Sequence, residues 1–276
     1  MVDYNDLEFN DLNYQSYLKI DELLDLQHEV SDPPHHDEMF FIVIHQAAEL
    51  WFKSLLHEAD WLVGAFRSGS VSRALKVLRR ITAIMDLQAQ QIGLLATLTP
   101  VEFAGFRDLL RPASGFQSAQ FRQIEYAFGI REPFFLKFFE HLPEVVKRLE
   151  TTRRQPSIYD EAVRAMHRFG YAVPEPLLNR DVSQNWALNE DLVNIIREIY
   201  DDPAENYHWV LLFESMLDFD EKVAKWRNHH ILMVSRTIGT VAGTGGSSGV
   251  SFLQSRAGLR FFPELWAVRN LLGGSY

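Results

Sequence analysis

The chain has 276 residues, no cysteine, 27 basic and 37 acidic side chains, and a formal charge of −10. This negative balance argues against a nucleic-acid-binding surface, which needs a clustered positive field. The lack of cysteine excludes disulfides, zinc–thiolate sites, iron–sulfur clusters and covalent haem attachment.

Helical periodicity runs along almost the whole chain, and no sustained two-residue alternation predicts a sheet. We therefore expect an all-α fold, a bundle of long helices forming one domain over 1–276. Residues 1–13 are expected to be loosely held, and 131–200, which prolines interrupt, could form an inserted helical subregion. The predicted helices cover 17–27, 37–66, 72–96, 100–110, 116–129, 204–239 (the longest) and 261–272.

The termini of one predicted helix carry explicit signals. Thr99 is a helix-capping residue, Pro100 suits the first helical position, and Glu102 completes a capping box. The most apolar run, 40–56, includes polar side chains, and the acidic start does not resemble a signal peptide. We expect a cytoplasmic protein that binds neither membrane nor nucleic acid.

The doublet His229–His230 lies in the longest predicted helix and is split by helical geometry. His230 falls in an apolar stripe, whereas His229 is turned about 100° away from it. His230 is either a core histidine bonded to a backbone carbonyl or a ligand to a buried metal or haem iron. The stripe consists of Leu212, Met216, Phe219, Val223, Trp226, His230 and Met233.

Two further polar residues lie in mostly apolar helices. His45 is either structural or a catalytic or hydrogen-bonding group. Arg107 either pairs with Asp108 or a distant acid, or binds a small carboxylate through its planar fork. The sequence 35–38, "HHDE", is interpreted as solvated polarity at a helix start rather than as a metal cluster.

The stretch 243–249, "GTGGSSG", follows the longest predicted helix. It lacks the Gly-Lys-Ser/Thr ending of a P-loop and the third glycine of the dinucleotide fingerprint, because position 248 is serine. Only some 27 residues follow, too few for a separate domain. We interpret the stretch as a mobile flap whose glycines allow it to close over a small molecule.

The blocks "HHDEMFFIVIHQAAELWFK", "FRDLLRPASGFQSAQFRQIE", "WRNHHILMVSRTIG" and "GTGGSSGVSFLQ" together resemble the tryptophan 2,3-dioxygenase family. The resemblance extends from about Tyr14 to Trp266 and is weakest over 131–200. It implies a helical homotetramer with one noncovalent haem b per subunit, ferrous in the active form. On the family pattern, His230 is the axial ligand of the haem iron, Ser114 and Gly115 lie along the haem edge, and His45 is the distal catalytic histidine that faces the indole N–H.

The same resemblance implies the substrate-binding residues. Arg107 holds the carboxylate of tryptophan, Thr244 contacts its amino-acid end, and Phe41 lies in the indole pocket. Phe103 stands where many bacterial members have a tyrosine that also contacts the carboxylate. Tyr14 matches a tyrosine that reaches into a neighbouring subunit's site.

The implied reaction is cleavage of the indole C2–C3 bond of L-tryptophan by O2, which gives N-formyl-L-kynurenine. Relatives often carry a hydroxyl-bearing residue where this chain has Ala48, one turn after His45, so the distal pocket could be roomier or less polar. One alternative is therefore a relative that inserts one oxygen atom into a substituted tryptophan to give an oxindole. A non-catalytic haem-based sensor is the second alternative, which would need neither Arg107 nor Thr244.

Overall fold

A computed structural model describes residues 12–245 and 248–273 of the chain. Every regular element in these ranges is helical and none is a strand, which confirms the predicted all-α fold. Three 3-10 turns cover Asp108–Leu110, Gly115–Gln117 and Pro133–Phe139. The α-helices are α1 (Tyr14–Leu18), α2 (Ile20–Leu24), α3 (His36–Ser68), α4 (Val71–Leu95), α5 (Pro100–Arg107), α6 (Ala119–Ala127), α7 (Pro143–Arg153), α8 (Ile158–Arg168), α9 (Glu175–Leu178), α10 (Glu190–Asp201), α11 (Tyr207–Ile238), α12 (Val250–Arg256), α13 (Pro263–Ala267) and α14 (Arg269–Leu272).

The framework consists of three long helices, because α4 packs against both α3 and α11. The main hydrophobic core lies among them and also takes in residues of α6, α8, α10 and α13. α11 has 32 residues and α3 has 33, so the prediction that 204–239 is the longest helix is wrong by one residue. The short helix α5 contacts both α3 and α11, the helices that carry the two candidate histidines His45 and His230.

Helix caps explain where several predicted boundaries fall. The capping box of α5 is confirmed: Thr99 Oγ1 accepts from the Glu102 amide, and Glu102 Oε2 accepts from the Thr99 amide. α6 begins at Ala119 rather than near 116, because the Ser118 hydroxyl caps it by accepting from the Phe121 amide.

Two helices predicted as continuous are each divided in two. The first break falls at Lys19, whose backbone is left-handed (φ 54°) and separates α1 from α2. The second separates α13 from α14 at Val268. Neither residue is a glycine or proline, so these breaks carry no sequence signal of the usual kind.

A buried ionic cluster fixes α11 against α6. Arg227 donates to Glu125 at 3.1 Å and to the Leu259 carbonyl at 2.9 Å. Burial alone raises the pKa of Glu125, but the charges of Arg122, Arg227 and Arg256 hold that pKa below its ordinary value. Since Arg227 lies three residues before His230, this cluster also fixes the histidine's position along the bundle.

The helix α3 is long and apolar enough to cross a membrane, with a mean hydropathy of 1.3 over its most apolar window. The core helices of soluble proteins meet the same criterion, so this is weak evidence for a span. Within the fold, α3 packs against α4, α6 and α8. It also carries Glu49, whose carboxylate accepts hydrogen bonds from other side chains.

Candidate functional site

His45 lies on α3 and is held in one tautomer by the backbone. Its Nδ1 is 2.7 Å from the carbonyl oxygen of Phe41 one turn earlier. Because a carbonyl oxygen accepts but does not donate, Nδ1 carries the proton, and Nε2 of the neutral ring is an acceptor. Burial lowers the pKa of His45, although the bond to Phe41 and the charge of Glu49 oppose the shift. The ring is therefore neutral at pH 7.

Aromatic rings from α3 and α5 form an apolar wall beside His45. The Phe41 ring lies 4.2 Å from the His45 ring and 5.6 Å from the Phe103 ring, which it stacks at 28°. Phe106, fully buried, meets both phenylalanines edge-on at 5.7 and 5.5 Å. Such a wall suits a flat aromatic ligand because offset and edge contacts between rings are favourable.

His230 lies on α11, half-buried, and its ring stacks on that of Trp226 at 5.5 Å and 22°. Burial, with a smaller contribution from the charge of His45, lowers the pKa of His230 to about 4. Within the described part of the chain, neither ring nitrogen makes a hydrogen bond, so the backbone-bonded alternative is not observed. A neutral, unpartnered imidazole is the donor that haem iron takes, so the site fits this cofactor.

The neighbouring histidine has a different environment. His229 is exposed, and its Nδ1 is 3.4 Å from the carbonyl oxygen of Ala89 on α4. The two rings of the doublet therefore point in different directions, as the helical period predicts.

Arg107 ends α5 and lines an open cavity of about 430 Å³ between α5 and the end of α11. Its Nη2 donates to the Ala242 carbonyl at 2.5 Å, and no acid pairs with it among the described residues. Asp108, the neighbouring acid, pairs instead with Arg111 at 3.2 Å. The Arg107 guanidinium is therefore available to an anionic ligand. Phe103 lines the same cavity.

The flap lies against the turn that follows α5. The Thr244 hydroxyl donates to the Ala113 carbonyl at 2.6 Å. A methyl group on Gly245 would stand 2.7 Å from Cβ of Ser114, so this close approach requires glycine. Gly246 and Ser247 lie outside the described residues. Ser114 caps the turn Gly115–Gln117 and lies against Gly245 of the flap, whereas a methyl group on Gly115 would meet nothing within 4 Å.

The described structure does not bring Tyr14 to this site. Tyr14 begins α1, where its side chain is 73% exposed. Its predicted role concerns a neighbouring subunit and stays a prediction.

Sequence reasoning missed three residues at the site. Glu49, one turn after His45, accepts from the Ser118 hydroxyl at 2.5 Å and from Gln120 at 2.8 Å, which ties α3 to the start of α6. Its position on the His45 face was the available signal. Arg236 lines the same cavity as Arg107, and only its spacing from His230 on one helix could have indicated this. His35 contacts the aromatic wall through Phe106.

The "HHDE" segment does not form a metal site. No group of three or more metal-ligating side chains is found among the described residues. Instead His35 caps α3 by accepting from the Asp37 amide at 3.3 Å, and the Glu38 carboxylate accepts from the amides of Val30 and Ser31. These groups serve the helix start, as interpreted from the sequence, but the interpretation that they are solvated is wrong for Glu38, whose side chain is buried.

Comparison with known proteins identifies the family. A family model described as tryptophan 2,3-dioxygenase matches residues 3–194 and 192–272. A protein named tryptophan 2,3-dioxygenase from Exiguobacterium sibiricum is 44% identical over 95% of this chain and 93% of its own length. Proteins of the same name from Bacillus thuringiensis and Herpetosiphon aurantiacus are 43% and 44% identical, over 95% and 94% of this chain and 93% and 97% of their own lengths. The chain belongs to the tryptophan 2,3-dioxygenase family.

Proposed function

We propose that this protein cleaves the indole C2–C3 bond of L-tryptophan with O2 to give N-formyl-L-kynurenine, the first step of tryptophan catabolism. The observation that carries the proposal is the 44% identity, over 95% of the chain, to a relative named for this activity. Three site residues are consistent with it, because each has the protonation or pairing state that its role requires. The ring of His45 is neutral, and among the described residues the ring of His230 makes no hydrogen bond and Arg107 pairs with no acid.

Haem b is the proposed cofactor; His230 would hold its iron, and Ser114 and Gly115 would line its site. When bound, haem activates O2, which protein side chains alone cannot do. The depressed pKa of His230 supports this role because an axial ligand must be unprotonated.

The side chains of the chain orient the substrate. Arg107 binds the carboxylate of tryptophan through two parallel N–H···O bonds. The Thr244 hydroxyl donates to Ala113 and keeps its lone pairs for the substrate's ammonium group. His45 accepts from the indole N–H through Nε2, while Phe41 and Phe103 hold the indole ring. Closure of the flap excludes water from these contacts.

The proposed function is tested by incubating the ferrous protein with L-tryptophan and ¹⁸O₂. We expect N-formyl-L-kynurenine carrying two labelled atoms, identified by mass spectrometry. One labelled atom in an oxindole would favour the alternative monooxygenase. Haem binding with no product under these conditions would favour the sensor.

The pH dependence of turnover should report the protonation of His45. Its pKa is lowered below 6.5, so Nε2 is a free acceptor at neutral pH and becomes protonated only in acid. We expect kcat/KM for L-tryptophan to be level near neutrality and to fall below pH 6.5. The acid limb should be absent from the residual activity of His45→Ala; its persistence there would assign the titration to another group.

Substitution of Thr244 should separate substrate binding from cofactor binding. Thr244→Val keeps the side-chain shape but loses the hydroxyl that donates to Ala113 and would accept from the substrate. Hydrogen bonds to charged groups contribute roughly 1.5–3 kcal/mol, so we expect about a 10-fold or larger rise in the KM for tryptophan. Haem content should be unchanged, and Thr244→Ser should stay close to wild type. An unchanged KM in Thr244→Val would contradict the role.

The assembly is proposed to be a homotetramer whose N-terminal segment, with Tyr14, reaches a neighbouring subunit's site. Support comes from apolar side chains on the N-terminal helices that are exposed to water in one subunit and that a neighbouring subunit would cover. They include Tyr14, Tyr17, Leu18 and Leu24, together with Met39, Val43, Leu50 and Trp51 on α3. We further propose a single domain over 1–276 and a cytoplasmic location, with neither membrane nor nucleic acid as a partner.

A further inference from the structure

His35 is held at the start of α3 by one hydrogen bond of its ring and one of its backbone amide. Its Nδ1 accepts from the Asp37 amide at 3.3 Å, which makes it the cap of α3. Its own amide donates to the Ser31 hydroxyl at 2.8 Å. Because the cap uses the ring itself, rotating the ring away would uncap the helix that carries Phe41 and His45.

The other edge of this ring lies directly against α5. A methyl group on Gly105 would stand 2.7 Å from Nε2 and 2.9 Å from Cδ2 of His35. Side-chain carbons essentially never come this close to other heavy atoms. The backbone of α5 can therefore approach the His35 ring this closely only because residue 105 is glycine. The ring also packs on Phe106, 5.3 Å between centroids, which limits its movement toward that side.

The contact acts on the helix face opposite the candidate substrate residues. Successive residues of an α-helix are turned by about 100°. Phe103 and Arg107 each lie two residues from Gly105, so both project about 160° away from the face that touches His35. α5 has only eight residues, so its position depends on few contacts. The approach of Gly105 to His35 is therefore one of the few contacts that bear on how far Phe103 and Arg107 extend into the cavity.

We propose that His35 and Gly105 form a positioning contact for the substrate site. His35 touches neither substrate nor cofactor in this proposal; it holds α5 at the distance from α3 at which Arg107 meets the carboxylate and Phe103 meets the indole. The inference rests on the proposed function, since it concerns how tryptophan is held.

The first measurement is Gly105→Ala in the haem-loaded protein. The added methyl must displace either α5 or the ring, and displacements near 1 Å at a positioning group can cost about 100-fold in rate. We expect kcat/KM for L-tryptophan to fall at least roughly 10-fold, with a matching rise in the Kd for tryptophan. Haem content should stay at the wild-type level. Gly64→Ala on α3, where a methyl meets nothing within 4 Å, is the matched control and should leave both values unchanged.

The second measurement asks whether the loss arises at His35. His35→Ser keeps a residue type that caps helices well but removes the ring. In His35→Ser/Gly105→Ala the new methyl occupies the space of the missing ring. We expect the double variant to recover several-fold of the kcat/KM and of the Kd that Gly105→Ala loses. The melting temperatures of the wild type, Gly105→Ala, His35→Ser and the double variant are recorded beside these values.

The outcomes separate the contact from the proposed function. If the losses in Kd and kcat/KM caused by the two substitutions simply add in the double variant, the positioning role is overturned. It is also overturned if the two substitutions are coupled in melting temperature but not in Kd or kcat/KM. If the wild type binds tryptophan without oxidising it, the proposed function fails, while the same four Kd values still decide the positioning role. A wild type that binds no tryptophan overturns both.

Discussion

His230→Ala is expected to abolish stable haem binding. The substitution removes the one half-buried imidazole at the site whose nitrogens have no partner among the described residues and whose pKa, about 4, keeps it neutral. Loss of groups that merely orient a metal ligand costs about 10–100-fold in affinity, so loss of the ligand itself should cost more. The measurement is haem content per subunit after reconstitution and gel filtration, together with the absorption spectrum.

The adjacent histidine supplies the matched control for this result. His229→Ala should retain haem, because its ring is exposed and bonded to the Ala89 carbonyl on α4. External imidazole should restore haem to His230→Gly, since it occupies the space left by the side chain. Normal haem content in His230→Ala, or loss of haem in His229→Ala, would contradict the assignment of the ligand.

Much of the fold could be predicted because its signals are local. The apolar stripe separated His230 from His229 through the helical period alone, and Thr99, Pro100 and Glu102 fixed the start of α5. The break at Lys19 could not be predicted, since a left-handed lysine has no compositional signal.

The candidate site was harder to predict because its contacts join distant parts of the chain. Thr244 meets Ala113 across 131 residues, and Arg107 meets Ala242 across 135. Periodicity describes one helix at a time, so it could place His45 on an apolar face but not beside the aromatic wall that Phe41 forms with Phe103 of α5. The contact between His35 and Gly105 depends on the approach of two helices, which propensity does not determine.

Arg107→Ala is expected to reduce kcat/KM for L-tryptophan by roughly 100- to 1,000-fold while leaving haem content unchanged. Removing one member of a desolvated, hydrogen-bonded charge pair typically costs about 2–5 kcal/mol, and the carboxylate of tryptophan would lose its bidentate partner. Because Asp108 pairs with Arg111, no acidic side chain in the described structure competes with the substrate carboxylate for Arg107. Steady-state kinetics with the haem-loaded variant gives the measurement.

A second role of Arg107 must be separated from the first, because its side chain also donates to the Ala242 carbonyl beside the flap. Arg107→Lys keeps a charged donor for that carbonyl but lacks the planar fork, so it should rescue activity only in part. Tryptamine, which has the indole ring but no carboxylate, distinguishes the two roles directly. If Arg107 acts on the carboxylate, wild type and Arg107→Ala should bind tryptamine equally weakly. If it acts only by holding the flap, the substitution should weaken tryptamine and tryptophan by the same factor, and the carboxylate role would be wrong.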